Sequence, residues 1–421
     1  MSLDEAFARV VSEKEASLFR PSASQIGAAA KEYGYLEIVV FPSVDSLLAA
    51  AVSARVLKGN GVGFSVRVEP VAPSRLEEPS LLLGYPAAIA SELAARRPSA
   101  LIGYGERPSG ILPLAVTAAP DSSITALTLG VLSEIAIIGG LGVYAVMAGY
   151  WRGLDRGKRA DFVGVENAVI EMLKLENRVE EHFSLRLYRW LDLGTEEALY
   201  LTLSPFLVGL TGRREKAEAY LRSDPRLEPL IGKTMGEAPE QAVAVLGEKL
   251  YDLLKSTSRV PRRPTEIIGN VYYSRSLVLP DLREAAYVLA HYAGGYAYRL
   301  IGIAVDEEGT LSDAYYSYRR AFAGIVEYVE PLIAARLKAE RVARMQLASL
   351  PGEAPSPPLV EKILRQHGTL GAEEAASFNG RVVLESVLEA YGYSRLVELL
   401  RGGCLEYLPG TLYAEVRSGA C

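Results

Sequence analysis

Cysteine and histidine are scarce in the 421 residues: the 2 cysteines, Cys404 and Cys421, sit at the far C-terminus, and the 3 histidines, His182, His291 and His367, are far apart. This excludes a disulfide scaffold, a zinc ribbon and a multi-histidine metal cluster. Two free thiols are the expectation for the cysteines. An excess of one charge is missing too, with 45 Lys and Arg against 51 Asp and Glu and a formal net charge of -6. The whole chain is therefore not a polycation gripping nucleic acid by counterion release, and any such contact must be local. No long apolar run occurs either. Residues 135–151 are uncharged but fall short of the roughly 20 that a spanning helix needs. They also contain Gly139, Gly140, Gly142 and Gly149, so they read as a buried helix and no membrane partner is expected. Residues 1–20 are amphipathic and charged, without the apolar core of a signal peptide, which makes the location cytoplasmic by expectation.

What the chain does have is core-building material: 49% of its residues are hydrophobic and 23% charged. Its length exceeds one ordinary core, since domains cluster near about 100 to 200 residues. A β-rich run at 36–41, a helical pattern at 44–57 and a second β-rich run at 63–68 make a parallel strand, helix, strand unit. Short apolar runs at 81–83, 100–102 and 112–116, with helical stretches at 87–97 and 122–147, extend it to a doubly wound α/β domain, assigned to 1–160. Residues 161–264 read as a helical insert or connector, with helices at 167–182, 213–221 and 240–255. Residues 265–350 read as a smaller α/β domain, with strands at 270–273 and 300–305, a helix at 282–292 and a long one at 311–347. The prolines of 351–358 predict an extended spacer. Beyond it, 358–421 has helical patterns at 359–367, 381–390 and 394–401, then two β runs around Pro409-Gly410, the pattern of a winged helix.

In α/β folds ligands bind at the carboxyl edge of the sheet. The first turn there is Phe41-Pro42-Ser43-Val44-Asp45-Ser46, and it resembles the His-x-Asp-x-Asp-Gly motif of the DHH phosphoesterase family, specifically the archaeal RecJ-like proteins. On that resemblance Phe41 takes the histidine position, Ser43 the first aspartate and Asp45 the second. The second motif falls on Leu82-Leu83-Gly84, the Asp-His-His motif on Gly103, Tyr104 and Gly105, and the last on Gly139-Gly140-Leu141-Gly142-Val143, with Val143 at the final metal-binding aspartate. Further along, Ser204-Pro205-Phe206-Leu207-Val208-Gly209-Leu210-Thr211-Gly212 resembles the family's Pro-Phe-x-Pro-Gly-Leu-Thr-Gly signature. Residues 166–190 resemble its preceding helical stretch, and Leu282-Arg283-Glu284-Ala285-Ala286 the opening of the DHH-associated domain. The family's glycine-rich Gly-Gly-His loop has only Gly294-Gly295-Tyr296 and Gly402-Gly403-Cys404 as poor substitutes. The likeness covers about 36–347.

The resemblance implies a catalytically degenerate member. Two hard cations about 4 Å apart need several anionic oxygens or imidazoles, and the motif positions retain only Asp45. No catalytic, metal or cofactor residue is therefore expected. By residue type alone, Asp45 suits a helix N-terminus, where it satisfies free N–H groups, and Pro120-Asp121-Ser122-Ser123 suits a helix cap. In archaea and eukaryotes a RecJ-like DHH protein joins the MCM ring and GINS in the CMG replicative helicase. The resemblance thus implies a scaffold with GINS and MCM as partners, and single-stranded DNA as a further one. The 24 tyrosines fit contact surfaces. Arg96 and Arg97, with Arg259, Arg262 and Arg263, are candidate phosphate contacts. Acidic residues outnumber basic ones in the C-terminal module, which favours protein over duplex DNA there. Two other readings stay open: an active manganese-dependent RecJ-type exonuclease on single strands, dependent on Asp45, and a DNA-binding adaptor using the winged helix.

Overall fold

The computed structural model describes residues 12–110, 112–335, 337, 339–342 and 345–417. Helix α1 (Glu13–Tyr33) opens on a capping box between Ser12 and Glu15. It leads through β1 (Tyr35–Val40), α2 (Val44–Gly59), β2 (Gly63–Val68), β3 (Ser80–Pro86), β4 (Ala100–Tyr104), β5 (Ala115–Ala118), α3 (Ile124–Ser133) and α4 (Gly142–Arg152). The five strands form one parallel sheet in the order β2-β1-β3-β4-β5. Alternation along the strands sends their side chains into two cores. Ile38, Val40, Leu81, Leu83 and Ile102 pack against the helices, whereas Val39, Phe41, Leu82, Leu101 and Val116 join a second core. The run at 87–97 is not a helix beyond a 3-10 turn at Ala87–Ser91. The stretch 122–147 is divided into α3 and α4, separated by a 3-10 turn at Gly139–Leu141. Helix α4 is buried through Trp151, and among the described residues no helix is long and apolar enough to cross a membrane.

The middle of the chain contains α5 (Val165–Leu175), β6 (Glu180–Leu185), α6 (Thr195–Leu201), α7 (Arg214–Arg222), α8 (Glu240–Thr257) and β7 (Ile268–Tyr273). The expected helix 167–182 therefore ends early, because its last residues pair antiparallel with β7. Leu207, Leu221, Leu246, Leu250 and Leu254 build a separate core there. Helices α9 (Leu282–Gly295) and α10 (Glu307–Ala334) follow. The apolar run expected as a strand at 300–305 lies mostly in a 3-10 segment, Ala297–Ala304, whose Leu300 and Ile303 turn into the core.

The remainder is a sheet domain: β8 (Ala339–Val342), β9 (Met345–Leu350), α11 (Pro357–Gln366), β10 (Glu374–Phe378), β11 (Arg381–Val383), α12 (Leu384–Tyr391), α13 (Tyr393–Arg401), β12 (Leu405–Tyr407) and β13 (Tyr413–Val416). The six strands run in the order β8-β9-β10-β11-β13-β12. This corrects the expected boundary at 351–358. Strands β9 and β10 pair in parallel on either side of it, and the prolines begin α11, where a missing N–H costs nothing. The hairpin expected as a wing is the far edge of the same sheet. Leu347, Val382 and Ala414 enter the core that backs the parallel sheet, while Leu350, Phe378 and Leu412 enter the helical one.

Candidate functional site

At the carboxyl edge of the parallel sheet, Phe41 is fully buried and meets Tyr85 edge-on, with ring centroids 6.0 Å apart. Ser43 is the N-cap of α2; its Oγ accepts from the Ser46 N–H at 3.3 Å and lies 2.7 Å from the Ser46 Oγ. Asp45, in the first turn of α2, is 0% exposed. Its Oδ2 accepts from the Ile124 N–H at 2.8 Å, and its Oδ1 from the Thr125 N–H at 2.9 Å and the Thr125 hydroxyl at 2.8 Å. The carboxylate expected to cap a helix does so, but the helix is α3 rather than its own, and an anion there meets the positive end of the α3 dipole. Glu166, from α5, completes this arrangement: it is also 0% exposed, and its Oε1 accepts from the Ser123 N–H at 2.6 Å. Burial pushes the Glu166 carboxyl up to about 8, although the Ser123 hydroxyl and N–H pull the other way.

A cation is already present. Arg152, the last residue of α4, brings its Nη1 to 3.5 Å from the Asp45 Oδ2. Its guanidinium lies 4.6 Å from the centre of the Tyr104 ring, a cation–π contact. Burial, and then the Asp45 charge, push the Tyr104 phenol well above its usual range, although a bond to Ser43 opposes this. Ser43, Asp45 and Tyr104 are thus brought together. Val143 is not. It lines a groove of about 720 Å³ with Arg55, Val56, Gly59 and Asn60, at the opposite end of α2 from Asp45. Helix α4 rises about 1.5 Å per residue, so its first turn cannot reach the place its last residue occupies. The glycine pattern at 139–142 forms the 3-10 entry to the helix, and the α4 residue beside Asp45 is Arg152.

The donor set does not suit a pair of divalent ions, since both Asp45 oxygens are spent on N–H and O–H donors and one faces a guanidinium. Among the described residues no group of three or more His, Cys, Asp or Glu could hold a metal ion. The backbone also resists replacement of the missing ligands. A Cβ on Gly84 would lie 1.8 Å from the Ser46 Oγ, and one on Gly103 would lie 2.2 Å from the Tyr85 carbonyl oxygen. Beyond Arg152, a cavity of about 390 Å³ is lined by Tyr104, Gly105, Arg152, Glu385, Glu389 and Tyr393 among others, between the parallel sheet and the C-terminal sheet domain.

Four of the five arginines considered as phosphate contacts have partners for their side chains within the chain. Arg96 pairs with Glu77 at 3.2 Å, and Arg97 lies 4.7 Å from the centre of the Tyr33 ring. Arg259 donates to the carbonyls of Ile333, Ala334 and Ala335 at 3.3, 3.4 and 2.6 Å, capping the end of α10. Arg262 donates to the Gln366 carbonyl and pairs with Glu266 at 2.6 Å. Arg263 is exposed. Cys404, expected as a free thiol, is disulfide-bonded, and Cys421 lies outside the described residues. The sequence reading missed Arg152, Glu166 and Glu385 as site residues. Glu166 and Glu171 both interrupt the apolar residues of 165–173, so nothing in the local pattern singles out Glu166.

No protein-family model matches the chain, and no curated protein matches it. Solved structures do. The crystal structure of CDC45 from Entamoeba histolytica aligns over 96% of this chain and 96% of its own, at 9% identity and a TM-score of 0.53, which shows a shared fold. The manganese-bound exonuclease RecJ aligns over 95% of this chain and 90% of its own, at 14% identity and a TM-score of 0.41. The DHH domain of a member of the s1p family of ribosomal proteins aligns over 99% and 93%, at 11% identity and a TM-score of 0.39.

Proposed function

We propose that the chain is a non-catalytic scaffold of the RecJ-like DHH type, acting within an archaeal replicative helicase by binding GINS and MCM. One observation carries the non-catalytic part of this reading. The last motif carboxylate, Asp45, is consumed in capping α3 and is neutralised by Arg152 rather than left for a metal ion. The fold shared with CDC45 supports the replication part, together with the ordered succession of motif echoes from Phe41 to Leu282. Hydrolysis of a phosphodiester by this fold would require cations to polarise the phosphoryl oxygens and activate water, and the anion that would help hold them, Asp45, already accepts from the α3 N–H groups and faces the Arg152 guanidinium. The test pairs an affinity pull-down of the full chain against purified GINS and MCM with a manganese nuclease assay on 5′-ended single strands. Retention of GINS without cleavage is expected. Failure to retain either partner removes the replication assignment, and manganese-dependent cleavage removes the non-catalytic one.

A further inference from the structure

A cavity of about 650 Å³ lies where the end of α9, the middle of α10 and the start of α11 meet the β10–β11 turn, and it shares no lining residue with the cavity beside Arg152. Ser356, the residue before α11, lines it. Ser356 is 3% exposed, and its Oγ has no hydrogen-bond partner. The cause is in the sequence: an N-cap hydroxyl accepts from an N–H of the first helical turn, but α11 opens on Pro357 and Pro358, which have none, and no side-chain cap forms. The positive end of the α11 dipole therefore reaches the cavity without a cap. His291 repeats the pattern from α9. Its Nε2 lies 3.1 Å from the Ser317 Oγ, while its buried Nδ1 has no partner. Asn379, held in the β10–β11 turn at a φ of 54°, also lines the cavity, and its side-chain amide makes no hydrogen bond among the described residues.

The charges of the cavity favour an anion. The Arg299 guanidinium lies 5.3 Å from the centre of the Tyr292 ring and against Gly295, where a Cβ would come within 2.4 Å of Nη1. These contacts hold the arginine in place and leave its charge uncompensated, since it takes part in no ion pair among the described residues. Arg381 is the second cation of the lining. The acids do not cancel the pair: Glu415 is divided between Arg381 at 3.6 Å and Arg417 at 3.5 Å, and Glu353 is exposed. We propose that this cavity binds a phosphoryl group, with Arg299 and Arg381 supplying the charge and the Ser356 hydroxyl, at the uncapped end of α11, supplying a fixed donor. A carboxylate has two oxygens, whereas a phosphoryl group has at least three, enough to meet both guanidiniums and the hydroxyl together. The volume lies within the range of about 300–1,000 Å³ that small-molecule sites occupy, so a phosphorylated small compound fits as well as the free ion. This binding goes beyond the scaffold reading and does not depend on it.

Isothermal titration calorimetry of the full chain with inorganic phosphate and with glycerol phosphate, in a buffer free of other oxyanions, tests this. Saturable one-to-one binding is expected. Arg299→Gln and Ser356→Ala should each weaken it about tenfold, the loss of one charge-assisted hydrogen bond. Because the Ser356 hydroxyl bonds nothing in the chain, Ser356→Ala should leave thermal unfolding without phosphate unchanged, which separates a ligand role from a structural one. Tighter binding of glycerol phosphate than of phosphate identifies a phosphorylated compound as the occupant, and equal binding identifies the free ion. If neither probe binds, or if either variant binds as the wild type does, the assignment fails. Should Arg299→Gln not fold, the Ser356→Ala comparison still decides.

Discussion

Replacing Asp45 with alanine separates a structural carboxylate from a metal ligand. The substitution strips three donors of their acceptor, the N–H groups of Ile124 and Thr125 and the Thr125 hydroxyl, and leaves the Arg152 guanidinium without its partner 3.5 Å away. Removing one member of a buried ion pair costs about 3–5 kcal/mol. The lost charge-assisted hydrogen bonds, at about 1.5–3 kcal/mol each, overlap with that figure rather than adding to it. With about 4 kcal/mol lost, and an unfolding entropy of about 2.1 cal/mol/K per residue over this length, the melting temperature should fall by about 5 °C. Differential scanning calorimetry without divalent ions, then with manganese, reads both hypotheses. A ligand role requires the metal-free variant to melt at the wild-type temperature or above it, and requires manganese to stabilise the wild type alone. Either result would refute the assignment of Asp45 to the α3 cap; a fall that manganese leaves unchanged supports it.

Other predictions follow from neighbouring residues. Glu166, held up at about 8 by burial, keeps a proton in the folded chain that the unfolded chain gives up, so its contribution to stability is present at low pH and is lost as the pH rises through about 8. Glu166→Gln should remove about 2 kcal/mol of the decline in stability between pH 6 and pH 8, as measured by guanidinium unfolding. Gly84→Asp, the simplest attempt to restore a motif carboxylate, puts a Cβ 1.8 Å from the Ser46 Oγ at a φ of +81. It should cost about 3 kcal/mol and confer no manganese-dependent cleavage in a single-strand assay. Arg259→Ala, which uncaps α10, should lose about 1 kcal/mol in thermal unfolding and leave any single-strand DNA affinity unchanged in a fluorescence anisotropy titration.

The first half of the parallel sheet was legible because its signals are local. The run at 36–41 and the pattern from Val44 gave β1 and α2 nearly to the residue, and Ser43 with Asp45 suited a helix start. What failed depended on partners distant in the chain. Residues 180–182 look helical until β7 is known to lie beside them, and 381–383 look helical until β10 and β13 flank them. The prolines of 351–358 signal a break in the chain and carry no information about whether the strands on either side pair. The last motif went astray for a related reason: glycine spacing fixes where α4 begins, whereas proximity to Asp45 is decided at its other end. Many of the tyrosines that suit contact surfaces by type pack within the chain instead, as such residues commonly do. Tyr144, Tyr188, Tyr287 and Tyr318 are buried, and Tyr407 and Tyr413 of the C-terminal sheet donate to the carbonyls of Val68 on β2 and Gly294 on α9.

The pairing of β9 with β10 has a consequence for how such a chain could change over time. A terminal module hung on a tether can be lost, duplicated or exchanged while its host survives. Here, cutting the polypeptide at Ser356 would strip away four strands and bare the apolar back of the parallel sheet, so the tail and the head must be inherited together.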